Sequence, residues 1–116
     1  MKFYQIEDQI VFSDKSLSIG TELIANTSDG AHEKHVPVII SSGAAVKVEV
    51  GSVEHPSLET HYIEFVVLET NTGIHTKWLK PGMKPEAEFR LAEGEKVLAA
   101  YEYCNLHGLW KGICDR

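Results

Sequence analysis

Branched and aromatic residues crowd into short runs along the chain, at 36–40, 45–50, 62–69, 76–79, 86–91 and 96–103. Turn-forming clusters separate most of them: SSG, the stretch 51–56, NTG, KPGMKP and AEGE. Runs of this length and spacing predict β-strands joined by tight turns, in the rhythm of an all-β sandwich. From Lys47 to Val50, Lys and Glu alternate with Val, so one face is wet and the other buried. The stretch from Ile63 to Leu68 is apolar on both faces and predicts a central strand. No helical stripe longer than about two turns appears. The best candidate, QIEDQIVF near the N-terminus, reads equally well as strand. The expected architecture is an immunoglobulin-like antiparallel β-sandwich of about seven strands, forming one domain over 1–116. The polar, turn-rich segment 25–34, ANTSDGAHEK, is expected to be a mobile surface loop.

Composition narrows the function classes. The 116 residues carry 11 Lys+Arg against 17 Asp+Glu, a formal charge of -6. Nucleic-acid binding demands a basic surplus that is absent here, and any anionic substrate must be attracted by a local positive feature. Cys104 and Cys114 are too few for a disulfide framework and fit a reducing cytosol. Glu7 and Asp8 interrupt any signal-peptide core, and no run is long enough for a membrane helix. The expected location is the cytoplasm, with no membrane partner.

The candidate chemistry lies in six histidines. His35 opens VPVII, His55 precedes Pro56 in a turn, and His61 begins the central run. Cys104 and His107 bracket Asn-Leu in CNLHGLW. Side chains at strand ends can converge from distant positions onto one rim of a sandwich, and Cys-x-x-His in a turn brings two donors to one ion. Gly108, directly after, allows the positive φ such a turn often requires. Taken singly, each His is more often a surface or hydrogen-bonded residue than a ligand. The joint occurrence of EKHVP, HPSLETHY and CNLHGLW in that order changes the weighing.

That combination resembles the superoxide reductase family, the iron domain shared by desulfoferrodoxin and neelaredoxin, over residues 33 to 111. Position by position, the resemblance implies one iron ion per chain, cycling between Fe(II) and Fe(III). It would be held by His35, His55, His61 and His107 in a plane, with Cys104 axial. The implied activity is one-electron reduction of superoxide to hydrogen peroxide, with re-reduction by a rubredoxin-like donor. Lys34 would draw in the anion, and Glu33 would cap the ferric ion once product has left. Ser57 departs from the Met that many members carry there, but it is not a ligand. The chain looks like the one-iron form, without a rubredoxin-like module, and a homo-oligomer, dimer or tetramer, is expected.

The need to hold a thiolate in a wet site also predicts backbone N–H groups of Leu106 and His107 aimed at the Cys104 sulfur, with Trp110 and Tyr62 packed beneath. His32 reads as a surface residue, His75 as a turn-flanking strand residue and Cys114 as a free thiol. Two other classes compete. A blue-copper carrier would place Met shortly after the last His, where this chain has GLWKGICDR, and has no role for His55 and His61. A binding module with structural zinc would close at four ligands, whereas five donors are available here.

Overall fold

The computed structural model describes residues 1–27 and 32–113, with the side chains of His32 and Glu33 outside the described set. The elements in order are β1 (Lys2–Ile6), β2 (Gln9–Ser13), β3 (Thr21–Leu23), the single helical turn α1 (His32–His35), β4 (Pro37–Ser42), β5 (Ala45–Val50), β6 (Ile63–Thr70), β7 (Ile74–Trp78), β8 (Glu86–Arg90), β9 (Val97–Cys104) and β10 (Gly108–Ile113). All strand pairing within the sheets is antiparallel. A four-stranded sheet, β10-β9-β6-β7, faces a three-stranded sheet, β4-β5-β8. Together these give the seven strands expected of the sandwich. A third sheet, β2-β1-β3, covers the outer face of the four-stranded one.

The apolar pattern explains this layering. On β5, Val46, Val48 and Val50 point inward and meet Val66 and Leu68 of β6, Ala87 of β8 and Ala100 of β9. On the opposite face of the central sheet, Phe65, Val67, Ala99, Tyr101 and Leu109 pack against Phe3, Phe12 and Leu23 of the N-terminal sheet. Strand β6 is therefore covered on both sides, and Phe65 to Leu68 are all fully buried. A strand buried on both faces must be apolar at every position, as the unbroken run in the sequence requires.

Three strands of the N-terminal sheet and β10 add to the strands predicted from the apolar runs. QIEDQIVF is neither one helix nor one strand. It folds as a hairpin whose two-residue loop, Glu7-Asp8, carries Glu7 at φ 57° between the paired Ile6 and Gln9. The charges in the loop broke the apolar pattern because they sit in water at the turn. The expected loop 25–34 is only partly described, and its mobility lies outside the described residues. Its start is pinned, because Asn26 N–H donates to the Leu109 carbonyl and the Asn26 carbonyl accepts from Lys111 N–H, each at 2.9 Å.

Two local features aim the sandwich end at one point. In β6, Ile63 pairs with Cys104 and Phe65 with Tyr103, so Glu64 is an extra residue and the strand is bulged. The bulge turns Ile63 to the same core as Cys104, although Phe65, two residues on, faces the opposite one. At Gly112, a Cβ would lie 2.1 Å from the Pro37 carbonyl oxygen. The missing side chain lets β10 press against the start of β4, fixing the backbone just after His35.

Candidate metal centre

Five of the sequence-predicted donors meet at this end of the sandwich. His35 closes α1, His55 and His61 lie in the connection between β5 and β6, Cys104 ends β9, and His107 lies in the turn into β10. The four imidazoles form a closed ring: centroids are 4.7 Å apart for His35 and His55, 4.7 Å for His55 and His61, 5.0 Å for His61 and His107, and 4.8 Å for His107 and His35. Donor atoms of His35, His55, Cys104 and His107 all lie within 4.8 Å of one another. His61 stands outside that tightest group but completes the ring. The Cys104 sulfur is 3.7 Å from Nδ1 of His107.

The arrangement fits a metal ion, and the fit can be tested on the donors themselves. An imidazole bound through one nitrogen at ~2.1 Å has its centroid ~3.2 Å from the ion, so four in a square would be ~4.6 Å apart, close to the spacing here. His55 Nδ1 sits 2.7 Å from the Pro56 carbonyl, to which it donates, and this fixes Nε2 as the lone-pair nitrogen. That Nε2 is buried without a hydrogen-bond partner, as is Nε2 of His61. Buried acceptors left unpaired cost about 1–3 kcal/mol each, which a shared cation would offset. His35 and His55 are almost wholly buried, whereas His107 is exposed and His61 partly so. The centre thus keeps a side toward solvent.

Burial sets the protonation of these donors. His35 is lowered to about 4, first by burial and then by the imidazoles of His55, His107 and His61. His55 and His61 are also lowered, mainly by burial. All three therefore keep lone pairs free at neutral pH. Burial raises the Cys104 thiol, while backbone N–H groups of Leu106 and His107 donate to its sulfur and pull the other way. This is the amide pair expected from the sequence. Lys34 is exposed beside His35, and its cation acts on His35, His55 and His61. The Glu33 side chain lies outside the described residues, as do the His32 side chain and Cys114.

The support around the donors is only partly what the sequence predicted. Trp110 stacks on His35 at 4.7 Å with an interplanar angle of 14°, and its indole N–H donates to the His107 carbonyl at 3.1 Å. One buried side chain thus ties two donors together. Tyr62 contributes through its backbone. Its N–H donates to Asn105 Oδ1 at 3.0 Å, Asn105 N–H donates to the Tyr62 carbonyl at 3.2 Å, and Asn105 Nδ2 donates to the Thr60 carbonyl at 3.1 Å. Asn105 therefore clamps the residues flanking His61 to the Cys104–His107 turn, a role missed in the sequence. Its place between two donors in a tight turn was the available signal.

Ser57 is a second residue missed as a support. Its hydroxyl donates to the Met83 carbonyl at 2.7 Å and accepts from Gly82 N–H at 2.9 Å, fastening the His55 segment to the β7–β8 connection. Glu102 is the third. It is fully buried, both oxygens lack hydrogen-bond partners, and Oε2 lies 3.5 Å from Nδ1 of His35. Burial pushes its carboxyl well above the usual range. Strand alternation in VLAAYEYC puts Glu102 on the face of Ala100 and Cys104, which was its legible signal. His75 is a strand residue as expected, and its Nε2 meets Glu95 at 2.9 Å.

Two expectations follow. In the metal-free protein, an NMR titration should show His35 protonating near 4, below the ordinary imidazole value of 6.5. Because the depressed value keeps the nitrogen free of protons, acid should compete for that donor only well below pH 6.5; a midpoint at 6.5 or higher would contradict the buried ring. Replacing Asn105 by Ala should weaken metal affinity by ~10- to 100-fold in a chelator competition while the far-ultraviolet spectrum stays that of the native fold. Unaltered affinity would show that the clamp does not position His61.

Comparison with known proteins agrees with this geometry. A model of the desulfoferrodoxin family matches residues 27–113. Desulfoferrodoxin of Nitratidesulfovibrio vulgaris is 55% identical over 85 residues, which is 73% of this chain and 66% of that protein. The chain therefore matches about two thirds of that relative's length. The crystal structure of the superoxide reductase from Treponema pallidum superposes with a TM-score of 0.84 at 38% identity, covering 97% of this chain and 98% of that one. The one-iron superoxide reductase from Giardia intestinalis gives 0.60 at 38% identity, over 72% of this chain and 99% of that one. The match in sequence, in strand arrangement and in the segment that carries every donor leads to one conclusion: the chain belongs to the desulfoferrodoxin family, whose relatives here include superoxide reductases.

Proposed function

We propose that this chain is a superoxide reductase built on one iron ion, alternating between Fe(II) and Fe(III) and held by His35, His55, His61, His107 and Cys104. The observation that carries the reading is the closed ring of four imidazoles beside a single buried thiol, with the side of His61 and His107 reaching solvent. Imidazole and thiolate both suit iron, and five donors leave one of six positions for a small anion. A blue-copper site needs two His and one Cys with a weak axial partner, and structural zinc needs four ligands, so neither accounts for a complete imidazole ring.

Iron bound there supplies one electron to superoxide, which with two protons becomes hydrogen peroxide. The remaining work falls to the chain. Neutral imidazoles and a thiolate leave the centre only weakly cationic, so attraction of the anion depends on Lys34 at the exposed rim. A local cation of this kind raises association rates within a protein whose overall charge of -6 repels anions. The Leu106 and His107 amides hold part of the thiolate's electron density, which sets how strongly Cys104 donates. By the family resemblance Glu33, beside Lys34 in sequence, would be the carboxylate that holds the oxidised ion between turnovers. The electron used in each turnover would be returned by a rubredoxin-like carrier. A thiol that must remain reduced fits the cytoplasm, and residues 1–116 would act as one unit. Among the described residues, no helix is long and apolar enough to cross a membrane.

The iron-loaded, reduced protein should consume superoxide and yield one hydrogen peroxide per superoxide without releasing dioxygen. Replacing Lys34 by Ala should slow the second-order reaction ~10-fold or more and flatten its dependence on salt. Release of dioxygen with half that peroxide would identify a dismutase and refute the proposal. An unchanged rate in the variant would remove Lys34 from the capture step.

A further inference from the structure

Among the described residues, Glu102 is the only acid that the sandwich buries completely. It shares a face of β9 with Ala100 and Cys104, within a layer that includes Val48, Val66 and Leu68. A carboxyl group is costly in such a layer unless a polar group meets it. Neither of its oxygens has a hydrogen-bond partner among the described residues. An acid kept at a position that would suit a valine calls for a role.

The polar group it faces belongs to a donor ring. Oε2 lies 3.5 Å from Nδ1 of His35, and that nitrogen is also buried without a hydrogen-bond partner. A donor and an acceptor thus stand ~0.5 Å beyond the usual N–H···O length, a gap that a slight turn of either side chain closes. The sheet register brings them together. Glu102 pairs with Trp110 across β9 and β10, so the two side chains lie next to each other on one face. Trp110 stacks on the His35 ring at an interplanar angle of 14°, which fixes the plane of the ring. Stacking leaves one choice open, because a half-turn about Cβ–Cγ keeps that plane and exchanges Nδ1 with Cδ2. Glu102 makes the choice, since N–H is a much stronger donor than C–H. His55 is held in the same way, with Nδ1 donating to the Pro56 carbonyl and Nε2 left free. His35 ends α1 and takes its acceptor from β9 instead.

We propose that Glu102 is a positioning residue for the metal centre: its carboxyl oxygen accepts Nδ1–H of His35, so that the ring presents the Nε2 lone pair to the ion. A carboxyl group accepts through oxygen with or without its own proton, so the role does not depend on its charge. An acceptor behind a ligating imidazole holds its tautomer and orientation and strengthens its donation. The inference rests on His35 being a metal donor, as in the function proposed above, and not on superoxide being the substrate.

The zinc-loaded full chain is diamagnetic, so proton–nitrogen NMR correlations of its histidine rings at neutral pH test the proposal without any assay of activity. His35 should show a protonated, hydrogen-bonded Nδ1 and a zinc-bound Nε2, both in the native chain and in Glu102→Gln, which keeps an acceptor. In Glu102→Leu, which removes the acceptor at similar volume, the Nδ1 proton should lose its downfield shift and exchange faster with water. Zinc affinity in a chelator competition should fall ~10- to 100-fold in Glu102→Leu and be largely rescued in Glu102→Gln. Zinc bound through Nδ1 of His35, a Glu102→Leu protein with native ring signals and affinity, or a Glu102→Gln protein as impaired as Glu102→Leu would each overturn the proposal. If Glu102→Leu does not fold, the ring signals of the native chain and of Glu102→Gln decide the matter. An iron-loaded chain with the stated His35 tautomer that fails to reduce superoxide would refute the function and not the role of Glu102.

Discussion

Four imidazoles that share one small volume must turn free lone pairs toward a common point, and that requirement organises this end of the protein. Nε2 of His55 and of His61 is buried with nothing to accept from. Positive charge on His35, His55 or His61 is penalised by burial and by neighbouring rings, so these three are held as neutral donors. A protein interior seldom tolerates several unpaired polar atoms together. Their presence in a ring with sides of 4.7 to 5.0 Å is accounted for by one cation among them.

The sandwich meets this requirement through its ends rather than its core. The core fixes sheet separation, and the donors sit where strands begin or stop. The bulge at Glu64 turns the start of β6 toward the end of β9, bringing the His61 and Cys104 segments together. Asn105 then locks those segments with three hydrogen bonds, and Trp110 links His35 to the His107 turn. Gly112 lets β10 settle against Pro37, close behind His35. Each support fixes two donors relative to each other, which is what a multidentate centre needs from its surroundings.

Much of this was legible in the chain. Runs of branched and aromatic residues located six of the seven sandwich strands within a residue or two, and doubly apolar β6 was recognisable as central because both of its faces are covered. The residues that meet in the imidazole ring were marked by the joint occurrence of EKHVP, HPSLETHY and CNLHGLW in that order. What escaped has physical causes. Strand β10 is broken up by Gly108, Lys111 and Gly112, whose small or polar character serves a turn, the surface and a close backbone approach. The N-terminal hairpin puts two acids in its turn, which masks the alternation on either side. Asn105, Ser57 and Glu102 act through contacts with residues distant in sequence, and spacing along the chain does not encode those.

The charge arrangement joins the centre to the activity. Under the proposed activity an acidic protein needs a positive feature at the rim, and Lys34 is exposed there beside His35. The thiol lies at the opposite extreme, fully buried and held by two amides. X-ray absorption of the iron-loaded, reduced protein tests the central claim most directly. A first shell of four imidazole nitrogens and one sulfur around a single iron is the predicted result. A shell without sulfur, or with fewer than four imidazoles, would contradict it.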